Sequence, residues 1–169
     1  MAGQSHYHLE RPSFSEPVKV LIVVAPYYKD IADHLVAGAE AELEAAGAEV
    51  DLVEVPGALE VPTAIRIAYD GGDFDGFVAL GCVIRGETTH YDTVCNDSSR
   101  ALQLLGLDGA CIGNGILTVE NHEQAAVRAD PEGQNKGGGA AAAALHLIAL
   151  TRKFGLGELG LDVAKDANS

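Results

Sequence analysis

"VKVLIVVA" (residues 18–25), followed directly by "PYYKDIADHLVAGAEAELEAAG" (26–47), decides the fold. The first stretch is a β-branched run of strand length without polar alternation, as expected of a strand buried on both faces. The second sets Ile31, Leu35, Ala39 and Leu43 at i, i+4 spacing, the apolar stripe of an amphipathic helix, and Gly47 stands where a C′ glycine would end it. A doubly buried strand feeding such a helix is the opening unit of a parallel α/β sheet.

The unit recurs along the chain. "EVDLVEV" (49–55) alternates as a second strand, "PGALEVPTAIRIAYDGG" (56–72) opens a helix whose first turn tolerates proline, and "GFVALGCVI" (76–84) reads as a third buried strand. "GETTHYDTVCNDSSRAL" (86–102) is loop then helix, "ACIGNGILTV" (110–119) a fourth strand, and "NHEQAAVRAD" (121–130) and "AAAAALHLIALTRKF" (140–154) the last helices. Right-handed crossovers then impose an α/β flavodoxin-like three-layer α/β/α sandwich around a four-stranded, mainly parallel sheet. With no repeat and no dividing linker, one domain is expected over 18–156, between an N-terminal arm (1–17) that could dock on a neighbour and a C-terminal tail (157–169). The small-residue face of "GGGAAAAAL" (137–145) permits close backbone approach, either to its own sheet or to a neighbouring subunit.

Composition removes several classes of function. A length of 169 residues suits one core, and 47% hydrophobic with 21% charged residues is incompatible with disorder. A formal net charge of −14 sets most of the surface against nucleic acid and anionic membrane, so an anionic substrate has to be met by a local cation. "GGGAAAAALHLIAL" (137–150) is too short for a membrane span and contains His146. Cys82, Cys95 and Cys111 are odd in number, lack C-x-x-C spacing and follow no secretory leader, which points to reduced thiols and a cytoplasmic location. The His6/His8 pair at the chain end is more often incidental than metal-binding. "GNGILT" (113–118) lacks the third glycine of a dinucleotide fingerprint, and no phosphate-loop motif occurs. No cofactor and no metal are expected.

Ligands of such sheets bind beyond the carboxyl ends of the strands, so chemistry belongs after Ala25, after Val55, after Ile84 and around strand four. Tyr27 and Tyr28 could stack on a flat heterocycle or merely cover the sheet edge. Glu60 could hold a ligand or simply complement a helix dipole. The run from Arg85 to His90 leads into a helix start suited to an anion, with Thr88 and Thr89 as donors, although Thr89 could equally be an N-cap. His90 carries an imidazole, whose ordinary pKa of about 6.5 suits both giving and taking protons. Arg128 could grip a phosphate with two parallel bonds or pair with Glu123 or Asp130, and Lys136 is a second cation or a solvated lysine. Cys95, five residues after His90, turns to a different helix face and is a poor nucleophile candidate.

The blocks "VPGALEVP" (55–62), "GCVIRGETTHYDTVCNDSSRAL" (81–102), "GNGILTVENHEQAAVRAD" (113–130) and "NKGGGAAAAAL" (135–145) closely resemble the 6,7-dimethyl-8-ribityllumazine synthase family of riboflavin biosynthesis, over about Val18 to Phe154. The resemblance implies a cofactor-free condensation of 5-amino-6-(D-ribitylamino)uracil with 3,4-dihydroxy-2-butanone 4-phosphate. It implies that Tyr27 stacks on the pyrimidine, that Ala58, Leu59 and Glu60 hold the ring and ribityl chain, and that Cys82, Val83 and Ile84 read the uracil edge by backbone. It implies that Glu87 and Thr88 hold the phosphoketone, that His90 transfers protons and that Arg128 binds phosphate. Asn114 then reaches in from a neighbouring subunit with Arg128, and Lys136 lies close by, so that the site exists between protomers of a pentamer, decamer or sixty-subunit shell. Pro26-Tyr27-Tyr28 and Asn114 stand where many relatives have Arg-Phe-Asn and Phe.

Overall fold

The computed structural model describes residues 6–166, with side chains to residue 155. Four strands, β1 (Lys19–Val24), β2 (Glu49–Glu54), β3 (Gly76–Ile84) and β4 (Ile112–Val119), alternate with α1 (Lys29–Ala45), α2 (Glu60–Gly71) and α3 (His90–Leu107), and α4 (His122–Ala129) and α5 (Lys136–Asp166) follow. The sheet order is β2-β1-β3-β4 and all three pairings are parallel. That is the arrangement of a flavodoxin-like three-layer sandwich.

The apolar run at 20–25 packs on both sides because both sides are covered. Val20, Ile22 and Val24 face one core with Ile31, Leu35 and Leu43 of α1 and Leu145 and Ile148 of α5. Leu21, Val23 and Ala25 face the other with Val61 and Ile65 of α2 and Leu102 of α3. Gly47 ends α1 with a φ of 74°, the left-handed conformation expected of a residue just past a helix. β2 departs from expectation: its residues are mostly exposed, Leu52 39% and Val53 41%, since it is the sheet edge and no further strand covers it.

The glycine-rich segment opens a helix. Asn135, with φ 47°, turns the chain, its Oδ1 accepts from the Gly138 N–H (3.2 Å), and α5 starts at Lys136 rather than at residue 140. A Cβ on Gly137 would overlap the Leu35 carbonyl of α1, and one on Gly113 of β4 would overlap the Ala140 carbonyl of α5. The small-residue face therefore docks on elements of its own chain. α5 runs on to Asp166, through much of the stretch expected as a tail, whose residues 167–169 lie outside the described residues. At the other end, Arg11 holds Glu42 of α1 with two bonds of 2.9 Å and Arg152 of α5 donates to the Glu16 carbonyl (2.8 Å), so this part of the arm lies along its own subunit. Residues 1–5 lie outside the described residues. Among the described residues, no helix is long and apolar enough to cross a membrane.

α4 depends on its cap. Asn121 accepts from the Gln124 N–H at 2.9 Å and starts a helix of only eight residues. Asn121→Ala is expected to cost about 1 kcal/mol and to lower Tm by about 2–4 °C, read by thermal denaturation at fixed protein concentration.

Candidate active site

β1 sends its chain to β2 on one side, and β2 returns it to β3 on the other, so the strand order reverses between β1 and β3. α1 and α2 leave on opposite faces, and the gap between them opens at the carboxyl ends of these strands. A cleft of about 420 Å³ lies there, lined by Tyr27 and Tyr28 after β1, Pro56 to Glu60 after β2, Cys82 to Ile84 at the end of β3, and His90 and Val94 of α3. A larger apolar groove of about 510 Å³ runs along β2 between Leu52, Ile67 and Phe74, but Asp51 is the only titratable group on it. Size favours the groove, and chemistry favours the cleft.

The two tyrosines divide the roles left open by sequence. Tyr28 is half-buried against the core, whereas Tyr27 is 76% exposed and is met edge-on by Tyr28, with centroids 5.0 Å apart at 74°. One ring covers and the other is free to stack. Ala58 is buried, and Leu59 and Glu60 open α2 with no side-chain capping bond, which leaves the Glu60 carboxylate to the cleft. A Cβ on Gly57 would stand 2.9 Å from Glu60 Oε2, so glycine there leaves the carboxylate its place.

β3 is nine residues long and β1 six, a difference that matters at the cleft. Their pairing ends at Val24 and Leu80, with a last bond from the Ala25 N–H to the Leu80 carbonyl, while β3 stays paired to β4 through Ile84. Beyond Leu80, the β1-facing main-chain groups of Cys82 and Ile84 have no strand beside them and can serve a ligand, while those of Val83 turn toward β4. Burial, reinforced by the Asp30 charge, pushes the Cys82 thiol up to about 11, so it is neutral near pH 7. Burial also raises the Cys95 thiol, the opposite of what a nucleophile requires.

His90 is the first residue of α3 and exposed, and its N–H donates to Thr88 Oγ1 (3.3 Å). Thr89, the alternative cap, makes no side-chain capping bond. Glu87 and Thr88 are exposed in the preceding loop, outside the cleft lining.

Three further expected site residues, like Glu87 and Thr88, do not line the cleft of their own chain. Asn114 lies on the exposed face of edge strand β4, accepts from the Ile116 N–H (3.0 Å), and borders a separate hollow with Leu102, Leu107 and Leu147. Arg128 is half-buried on α4 with Nη1 donating to the Gln124 carbonyl at 3.0 Å; among the described residues it pairs with neither Glu123 nor Asp130. Lys136 is exposed at the start of α5. The cleft also includes Tyr28, Pro56 and Gly57, and Val94, which was not named as a candidate; Val94 is four residues after His90, and helical periodicity alone would have found it.

Fold and cleft together define a flavodoxin-like α/β protein with a small-molecule site at its topological switch point. Residues 17–152 match the family model described as 6,7-dimethyl-8-ribityllumazine synthase. The chain is 61% identical over 155 residues to the 6,7-dimethyl-8-ribityllumazine synthase of Jannaschia sp. (strain CCS1), covering 92% of this chain and 87% of that one. It is 56% identical to that of Erythrobacter litoralis (81% and 98% covered) and 54% identical to 6,7-dimethyl-8-ribityllumazine synthase 1 of Rhizobium meliloti (83% and 95%). The chain belongs to the 6,7-dimethyl-8-ribityllumazine synthase family.

Proposed function

We infer that this protein condenses 5-amino-6-(D-ribitylamino)uracil with 3,4-dihydroxy-2-butanone 4-phosphate to 6,7-dimethyl-8-ribityllumazine, releasing phosphate and water, as the penultimate step of riboflavin biosynthesis. The reading rests above all on one observation: three segments far apart in sequence bring Tyr27, Ala58–Glu60, and Cys82–Ile84 with His90 to a single cleft. An exposed ring, a carboxylate, free main-chain groups and an imidazole are what a flat ring with a polyol tail and a proton-transfer reaction require.

In this reading Tyr27 stacks on the pyrimidine, Glu60 takes ribityl hydroxyls, and the end of β3 reads the uracil edge. The 5-amino group adds to the ketone carbon, and water leaves as the imine forms. Phosphate is then eliminated, and the ribitylamino nitrogen attacks the remaining carbonyl carbon and closes the second ring with loss of a second water. Each step moves a proton, the task assigned to His90. Thr88 and Glu87 flank the phosphoketone, and Arg128, with Lys136 near it, meets the phosphate. Arg128, Asn114 and Lys136 reach the cleft of an adjoining protomer, so the working unit is a homo-oligomer of at least a pentamer. The substrates are small and soluble, in keeping with a cytoplasmic enzyme.

Mixing the two substrates with purified protein and following lumazine fluorescence tests the activity. A carrier without turnover would bind the uracil and yield no product, and a shell protein would assemble without binding it. A thiol hydrolase would be silenced by Cys95→Ser, a substitution that leaves the condensation standing.

A further inference from the structure

Arg85, at the carboxyl end of β3, has a side chain that sequence reasoning assigned to no task. Its N–H continues the sheet by donating to the Val119 carbonyl (2.9 Å). Its guanidinium then spends three directions on two parts of the chain, the residue after β4 and the first turn of α3. Nε donates to Glu120 Oε2 after β4 (2.8 Å), Nη1 lies 3.7 Å from Asp92 in the first turn of α3, and the plane sits 4.3 Å above the Tyr91 ring. Tyr91 directly follows His90, and its hydroxyl lies beside Cys95 and Thr118. The loop 86–89 is thus closed at its start by the Arg85 backbone and at its end by the Arg85 side chain.

The contact continues beyond the loop. The Glu120 N–H donates to Gln124 Oε1 (2.9 Å), and the Gln124 carbonyl accepts from Arg128 Nη1 (3.0 Å). We propose that Arg85 is a positioning residue for the condensation: its guanidinium closes the loop carrying Glu87, Thr88 and His90 and fixes it to the start of α4, the helix that carries Arg128. This rests on the functional reading given above.

Arginine suits the task because its planar fork stacks and donates sideways at once, which an ammonium does not. Two carboxylates already face it, so the guanidinium is committed to protein groups, whereas among the described residues Arg128 meets a backbone carbonyl alone. The pair with Glu120 is solvent-exposed, so its value lies in geometry more than in stability.

The test compares Arg85→Met with Glu120→Gln, which removes only the carboxylate partner. If Arg85 positions the loop, both variants raise the phosphoketone KM and lower kcat, by about tenfold for Arg85→Met and less for Glu120→Gln, as misplacement of reacting groups does. KM for the ribitylaminouracil stays within about twofold. Arg85→Lys restores little, because charge alone does not reproduce the fork. Hydrogen exchange accelerates over residues 86–92 and not elsewhere. If Arg85 instead bound phosphate itself, Glu120→Gln would free the cation and lower the phosphoketone KM, and that opposite sign overturns the proposal. Unchanged kinetics in both variants, or a uniform loss of every parameter with exchange rising throughout, overturns it too. Should Arg85→Met fail to melt cooperatively, Glu120→Gln alone decides. A wild-type protein that makes no lumazine defeats the functional reading, while the exchange pattern still reports on the loop.

Discussion

His90→Ala is expected to reduce kcat by about 10²–10⁴-fold and still leave a measurable rate. The lower bound follows from the role: a positioned acid/base group contributes about that factor, equivalent to about 3–5 kcal/mol of barrier. The residual rate follows from the reactants. An aromatic amine and an α-hydroxyketone condense unaided, so holding them together in the cleft supplies acceleration that does not pass through the imidazole. The fold has little stake in the substitution, because His90 is exposed and the bond from its backbone N–H to Thr88 Oγ1 survives in alanine. Single-turnover formation of lumazine at saturating substrates measures the loss, with an unchanged thermal midpoint as control. A rate within threefold of the wild type would remove His90 from the chemistry.

How much of this was legible beforehand differs from element to element. β3 was readable to the residue, Gly76 to Ile84, because nine apolar residues between an acidic turn and a polar loop leave no other boundary. β2 was readable as a strand but not in its exposure, because alternation reports a strand without reporting whether a neighbour lies beyond it. The start of α5 was less legible, since the helix expected over 140–154 begins at Lys136; the missing side chain of Gly137 lets it approach Leu35 of α1, and that of Gly113 on β4 lets the strand approach Ala140. In the cleft, Tyr27, Glu60 and His90 followed from one rule about strand ends. The main-chain surface at Cys82 to Ile84 follows from β3 outrunning β1, a register that no composition reveals. Arg85 went unassigned for a similar reason, since its partners at 91, 92 and 120 meet only once the sheet has formed.

Arg128→Ala is expected to raise the phosphoketone KM by about 10–100-fold, the worth of one or two charge-assisted hydrogen bonds, while KM for the ribitylaminouracil changes little. The background makes the effect large. The chain carries a net charge of −14, so a phosphate arriving at any site on it approaches against repulsion unless a cation stands at the point of contact. Salt therefore separates the two proteins: screening weakens the attraction to Arg128 and raises KM in the wild type, whereas in Arg128→Ala only repulsion is left to screen and KM falls or stays level. The same residue tests the shared site. On one chain Arg128 lies outside the cleft that His90 lines, and if the guanidinium serves an adjoining protomer, two crippled variants can repair each other. Co-assembled Arg128→Ala and His90→Ala subunits would place an intact imidazole beside an intact guanidinium in roughly a quarter of the sites, the statistical share when neighbours in a ring mix at random. Lumazine formation rising in the mixture well above the sum of the separate variants is the expected result. A mixture no faster than that sum would put both groups in one protomer, or neither in the reaction.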